Sequence, residues 1–285
     1  MSSLEKPILT WFKKNKRDLP WRDTTPWGVM VSEYMLQQTP VNRVLPKWNE
    51  WMERWPTPKD LAKATPAQVI TAWGRLGYPR RALRLHAAAQ IIAEDFNNTV
   101  PEDQETLQLL PGIGEYTAAA ISAFAFKRGE LVLDINIRRL YARCWQGKSA
   151  PTAAPNNAER ELARQLAPEG DDGTWAAATM ELGALICKAR TPLCEACPLK
   201  NQRLWRAIGS PQEAEKGKSA QQAKWHGSDR QCRGVIMQAL RENSDITQSE
   251  LQKIWSDRSQ YEKALASLLD DGLIEKRGKR FSLAN

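Results

Sequence analysis

Residues 109–122 read "LLPGIGEYTAAAIS". Gly112 and Gly114 flank Ile113 and specify a tight turn, while the run that follows, "EYTAAAISAFAF", has the composition of a helix opening directly at that turn. The unpaired N–H groups of the first helical turn would face the glycines. Glycine lets a second backbone approach, and a helix N-terminus favours an anion, so the turn suits a phosphate at Gly112 and Gly114. A plain connection between two helices is the competing reading, and a lone G-x-G does not exceed it.

Working outward, helical periodicity dominates. "SEYMLQQTPVNRVLPKWNEWMERW" (32–55), "DLAKATPAQVITAWGRLG" (60–77), "RALRLHAAAQIIAEDF" (81–96) and "AERELARQLA" (158–167) carry apolar residues at three- and four-residue spacing. Proline and glycine at Pro56, Pro58, Pro66, Gly77, Pro79, Pro101 and Pro111 cut the chain into short helices. The expected fold class is all-α. Trp48, Trp51 and Trp55 recur at helical spacing and are expected in a core. Residues 207–228, polar and nearly free of aliphatics over "GSPQEAEKGKSAQQAKWHGS" (209–228), read as a linker. Residues 229–285 read as a small winged-helix-like domain. It has a helix to about Leu240, a helix capped by Thr247 with Glu250 three residues on, a third through Leu269, and the hairpin "GLIEKRGKRFSL" turning at Arg277-Gly278.

The 285 residues carry 41 Lys+Arg against 33 Asp+Glu, a net charge of +8 that suits a polyanionic partner such as nucleic acid. No stretch reaches the roughly 20 apolar residues of a membrane span, and the first residues lack a signal-peptide centre, so a cytoplasmic protein without a membrane partner is expected. Five cysteines in such a chain read as free thiols or metal ligands rather than disulfides. Cys144 and Cys232 stand alone and read as small buried residues, whereas Cys187, Cys194 and Cys197 fall within eleven positions.

Two carboxylates stand in apolar surroundings. "VLDINIRRL" (132–140) places Asp134 after an aliphatic run, with Asn136 two positions on, and either a helix N-cap or a functional carboxylate accounts for it. "WGVMVSEYMLQQTPVNRV" (27–44) places Glu33 within an apolar helix, where burial would raise its pKa and let it hold a proton near neutral pH, as a general acid must.

Together "LPWR" (19–22), "SEYMLQQTPV" (32–41), "LGYPRRALRLH" (76–86), "LPGIGEYTA" (110–118), "LDINIRRLYAR" (133–143) and "MELGALIC" (180–187), in this order and followed by the cysteine stretch, resemble the A/G-specific adenine DNA glycosylases of the MutY type, within the helix-hairpin-helix (endonuclease III) superfamily. The resemblance covers about residues 10–206. It implies a glycosylase domain over 1–206, with a six-helix lobe at about 27–130 and a second lobe from 1–26 plus 131–206. It implies a monomer that acts on double-stranded DNA and removes adenine mispaired with 8-oxoguanine or guanine.

By that resemblance Glu33 protonates the adenine at N7, Asp134 supports the cationic sugar and Asn136 holds the site, a two-carboxylate logic parallel to glycoside hydrolysis. Trp21, Arg22, Leu36, Val41 and Glu181 line the adenine pocket, while Gln38 and Tyr78 insert into the duplex. Tyr116 occupies the position where strand-cutting relatives carry a Schiff-base lysine, which implies a monofunctional enzyme. The family's C-x6-C-x2-C-x5-C holds a [4Fe-4S] cluster. Cys187, Cys194 and Cys197 match its first three positions and the fourth is Arg203, which cannot ligate iron. Three states stay open: a cluster with a non-cysteine fourth ligand, a three-iron form, or none. Many family members add a Nudix-like C-terminal domain, for which residues 229–285 are too short and too helical. The rival readings are a thymine glycosylase acting on G·T mispairs and a non-catalytic DNA-binding protein. The presence of both Glu33 and Asp134 speaks against the latter.

Overall fold

The structure, a computed structural model, describes residues 5–199, 203–211, 225–243 and 245–285. Most of the expected linker, residues 212–224, lies outside the described residues. Helices dominate, as expected of an all-α chain, with one small C-terminal sheet. In chain order the elements are α1 (Glu5–Asn15), a 3-10 turn (Pro20–Arg22), α2 (Pro26–Leu36), α3 (Val41–Arg54), α4 (Pro58–Ala62), α5 (Pro66–Trp73), α6 (Arg80–Asp95), α7 (Gln104–Leu109) and α8 (Glu115–Phe126). There follow α9 (Ile135–Trp145), α10 (Asn157–Leu166), α11 (Thr174–Leu185), a second 3-10 turn (Cys194–Ala196), α12 (Leu204–Ala207), α13 (Asp229–Glu242), β1 (Ile246–Thr247), α14 (Gln248–Gln252), α15 (Arg258–Asp270), β2 (Ile274–Arg277) and β3 (Arg280–Leu283). Among the described residues no helix is long and apolar enough to cross a membrane.

The chain forms two compact units, one from residues 1–33 and 101–217, the other from 34–100 and 218–285. The first contains the turn that opened the sequence reading. Asp103 caps α7 by accepting from the Thr106 N–H at 2.8 Å. The chain reverses with Gly112 at φ +88°, a backbone region that only glycine adopts without strain, and α8 begins at Gly114. Residues Thr117–Ala123 of α8 are buried throughout, so a helix apolar on every side serves as the centre of this unit. Ala119, Ala120 and Ala123 meet Ile137, Leu140, Trp175 and Leu182 in its core, and α1 closes it through Ile8.

The second unit is built on α3–α6. Trp48, Trp51 and Trp55 are buried as expected, and Trp51 meets Trp55 and Trp73 edge-on with ring centroids 4.8 and 5.5 Å apart. Its C-terminal part has the expected winged-helix order, with the Thr247/Glu250 capping box present. Two details differ. A short strand, β1, precedes α14 and pairs with β3, giving the sheet order β1-β3-β2. The hairpin turns at Gly278-Lys279 rather than Arg277-Gly278, because Arg277 still pairs with Arg280 and Gly278 takes the left-handed φ of +62°. The C-terminal core of Ile236, Leu240, Leu251, Leu268 and Phe281 includes Ile70 of α5, with Ala67 and Leu83 at its edge. Ile70 is fully buried, which is worth about 2 kcal/mol of apolar transfer.

Candidate active site

Glu33, Tyr116, Asp134 and Asn136 come together in the first unit, from α2, α8 and the start of α9. Glu33 is 7% exposed. Burial, and next the charge of Asp134, raise its carboxyl from the ordinary 4.5 to about 7, against a hydrogen bond from Tyr116 that favours the ionised form. Such a group holds and releases a proton at neutral pH. Burial and the two carboxylates push the Tyr116 phenol upward, so it remains a neutral donor.

Asp134 caps α9, as one sequence reading allowed, and its charge acts on Glu33. Its Oδ1 accepts from the Ile137 N–H at 2.7 Å and its Oδ2 from Asn136 Nδ2 at 2.7 Å. Burial raises its pKa, while these hydrogen bonds and the charge of Arg139 oppose the rise by favouring the anion. Asn136 is fixed in turn, its Oδ1 accepting from Arg139 at 2.8 Å. Gly183 of α11 lets this corner form: a Cβ there would lie 2.5 Å from the Asn136 carbonyl oxygen. Arg139 also donates to the carbonyls of Gly183 (2.8 Å) and Cys187 (2.7 Å). Of the two carboxyl groups, Glu33 can hold a proton near pH 7, while the Asp134 anion is the form that its hydrogen-bond donors and Arg139 favour against burial.

Trp21 and Arg22 form the first 3-10 turn of the same unit. Glu181 is 1% exposed and turned toward arginines. It accepts from the Arg17 N–H (2.7 Å), Nε (2.9 Å) and a terminal nitrogen (2.6 Å), and pairs with Arg22 at 3.1 Å. Burial pushes its carboxyl up, but the Arg17 hydrogen bonds and both arginine charges hold it below the usual value. Arg17, absent from the sequence reading, is thereby the residue that ties the Trp21-Arg22 turn to α11. Gly112 and Gly114 lie at the hairpin of this unit. Gly114 has an ordinary φ of −104°, and a Cβ added there would meet nothing within 4 Å, so no internal packing demands a glycine.

Leu36, Gln38, Val41 and Tyr78 belong to the second unit. Gln38 (φ +53°) and Tyr78 (φ +48°) both adopt the left-handed conformation, which is costly for residues with a Cβ. One buried side chain holds both turns: Arg81 donates to the carbonyls of Tyr34 (2.9 Å) and Gln37 (2.5 Å), to Thr39 Oγ1 (2.9 Å) and to the Gly77 carbonyl (3.0 Å). Its guanidinium also lies 5.6 Å from the Tyr78 ring centroid. The ring itself is 54% exposed. The sequence around Arg81 gives no sign of this, since three of its partners, Tyr34, Gln37 and Thr39, lie over forty positions earlier.

Cys187, Cys194 and Cys197 line one cavity in the first unit, with Arg203 on its wall. Arg143 holds the loop by donating to the carbonyls of Lys188 (2.6 Å) and Ala189 (2.8 Å), and it approaches Cys187 Sγ at 3.6 Å. Among the described residues no His, Cys, Asp and Glu close around a single metal ion. Cysteine thiols are the usual ligands of iron–sulfur clusters. Cys144, read from sequence as standing alone, is a correction. It is buried as expected but lines this same cavity, because α9 passes beneath the cysteine loop.

A hairpin at a helix N-terminus, two opposed carboxyls and a cysteine loop define the base-excision class of DNA repair proteins. The model of the HhH-GPD superfamily of base excision DNA repair proteins matches residues 31–168, and that of the iron-sulfur binding domain of endonuclease III matches 187–202. A thermostable thymine-DNA glycosylase has a similar solved structure (TM-score 0.64, 27% identity, 71% of this chain and 94% of that one), as does endonuclease III in a non-covalent DNA complex (0.62, 19%, the same coverage). The adenine DNA glycosylase of Mycolicibacterium smegmatis is 45% identical over 97% of this chain and 94% of its own. The chain belongs to the adenine DNA glycosylase family.

Proposed function

We propose that this chain excises adenine mispaired with 8-oxoguanine or guanine from duplex DNA, leaving an abasic site in an uncut strand. The observation that carries the reading is the Glu33–Tyr116–Asp134 constellation. The adenine leaves the stack. Protonated Glu33 donates to N7, the N-glycosidic bond breaks, and its electrons depart with the base. The Asp134 anion, favoured by Asn136 and the first turn of α9, stabilises the positive sugar until water adds at its anomeric carbon and releases a proton to solvent. Tyr116 has no amine, so no Schiff base forms and the strand stays intact.

In this reading Trp21, Arg22, Leu36 and Val41 border the adenine, with Glu181 holding Arg22 in position. Gln38 and Tyr78 fill the vacated stack, and the Gly112–Gly114 turn receives a phosphate. A [4Fe-4S] cluster is held by Cys187, Cys194 and Cys197. When bound it supplies covalent cross-links to the loop between α11 and α12, supported by Arg143. Residues 1–206 act as the glycosylase domain in a cytoplasmic monomer. Residues 229–285 add a duplex contact through the basic hairpin that carries Lys276, Arg277, Lys279 and Arg280.

The test is single-turnover base release from duplexes carrying A·8-oxoguanine, A·G or T·G. Adenine release with strands intact until alkali treatment supports the reading. Release of thymine alone assigns the chain to the other mispair, and DNA binding without release of any base makes it a binding protein.

A further inference from the structure

The cysteine loop lacks its fourth family ligand, yet its cavity contains a fourth thiol. Of the described residues on the cavity wall, Cys144 alone joins Cys187, Cys194 and Cys197 as a possible iron ligand; the rest are aliphatic, aromatic, proline or arginine. No imidazole or carboxylate is among these described residues. Cys144 lies near the C-terminal end of α9, directly after Arg143, which grips the loop by three of its carbonyls and touches Cys187 Sγ. Cys144, Cys187 and Cys197 are buried in one continuous core. Arg203, at the family's fourth position, is committed to the loop backbone by donating to the Cys194 carbonyl at 2.6 Å.

We propose that Cys144 supplies the fourth thiolate to the cluster held by Cys187, Cys194 and Cys197, while Arg203 contributes charge instead of a ligand. Each thiol gives its proton to solvent as its sulfur binds iron. The guanidinium of Arg203 then offsets part of the negative charge that four thiolates bring into a buried site. Ligand and charge, one function at position 203 in the family pattern, are divided here between a helix and a loop. The inference rests on the cluster reading above.

The experiment reconstitutes the full chain anaerobically with ferrous iron and sulfide, then measures iron per chain and the electron paramagnetic resonance spectrum before and after mild oxidation. The wild-type chain is expected to bind about four irons and to stay silent through mild oxidation. Cys144→Ala is expected to hold about three irons and to give a paramagnetic three-iron signal, with iron-free circular dichroism and melting like those of the wild type. The double variant Cys144→Ala/Arg203→Cys, which restores the family spacing, should return to four irons and silence. That rescue separates a ligand role from a folding defect. Four irons with an unchanged spectrum in Cys144→Ala would overturn the assignment and leave the cluster standing. A wild-type chain that takes up no iron would overturn both.

Discussion

The Tyr116 hydroxyl donates a hydrogen bond to the Glu33 carboxyl, and this contact opposes burial and Asp134, leaving the pKa raised to about 7. Removing the donor leaves the raising influences unopposed. Tyr116→Phe should therefore shift the alkaline limb of the base-release rate upward by roughly 0.5–1 pH unit, the equivalent of about 1 kcal/mol. A single-turnover pH profile reads it. An unshifted limb would mean that another group sets the titration.

Glu33→Gln should reduce base release by about 10²–10⁴-fold, the usual contribution of a general acid. The same change should stabilise the fold above neutrality. The folded carboxyl titrates near 7 and the unfolded one near 4.5, so between these values the folded state binds more protons and stability falls as pH rises. The loss reaches at most about 3 kcal/mol above pH 7. Melting curves from pH 4.5 to 8 should slope less in the variant, and a steeper slope would contradict the assignment.

Arg81→Lys should destabilise the protein by about 1–3 kcal/mol and slow base release. One ammonium cannot reach the Gln37 and Gly77 carbonyls together, so the left-handed turns at Gln38 and Tyr78 lose their common clamp. Arg80→Lys is the control. Its pair with Asp271 is solvent-exposed and should be worth less than about 1 kcal/mol.

Gly183→Ala forces α9 and α11 apart, because the new methyl would overlap the Asn136 backbone. We expect about 1–3 kcal/mol of destabilisation together with a fall in the chemical rate, as Asn136 and Asp134 move with the backbone. A variant melting and reacting like the wild type would show that the corner yields freely.

Gly114→Ala separates binding from folding. Inside the protein the methyl meets nothing, so the cost should stay within about 1 kcal/mol, the loss of a glycine cap. On the open side it would obstruct a phosphate approaching the α8 N-terminus. Titration with duplex DNA at fixed salt should show clearly weaker binding, and unaltered affinity would place the phosphate elsewhere.

Much of the site was legible because its signals are local. The Gly112–Gly114 turn, the Asp134 cap and the apolar setting of Glu33 are each written within a few neighbouring residues. What stayed hidden depends on distance along the chain. Arg17 meets Glu181 across 164 positions, and Arg81 serves carbonyls 44 to 47 positions earlier. Cys144 carried no spacing signal, since its relation to the cysteine loop is created by packing of α9. In the C-terminal part, β1 is two residues long and too short to show alternation, and the hairpin slipped by one residue because the left-handed Gly278 sets its first turn position.

Arg139 holds the carbonyl of Cys187 with one nitrogen and Asn136 with another, and Asn136 holds Asp134. The sulfur-bearing loop and the reacting carboxylate therefore share one fastening. A rearrangement of the cysteine loop would be transmitted to Asp134 through only two side chains, Arg139 and Asn136.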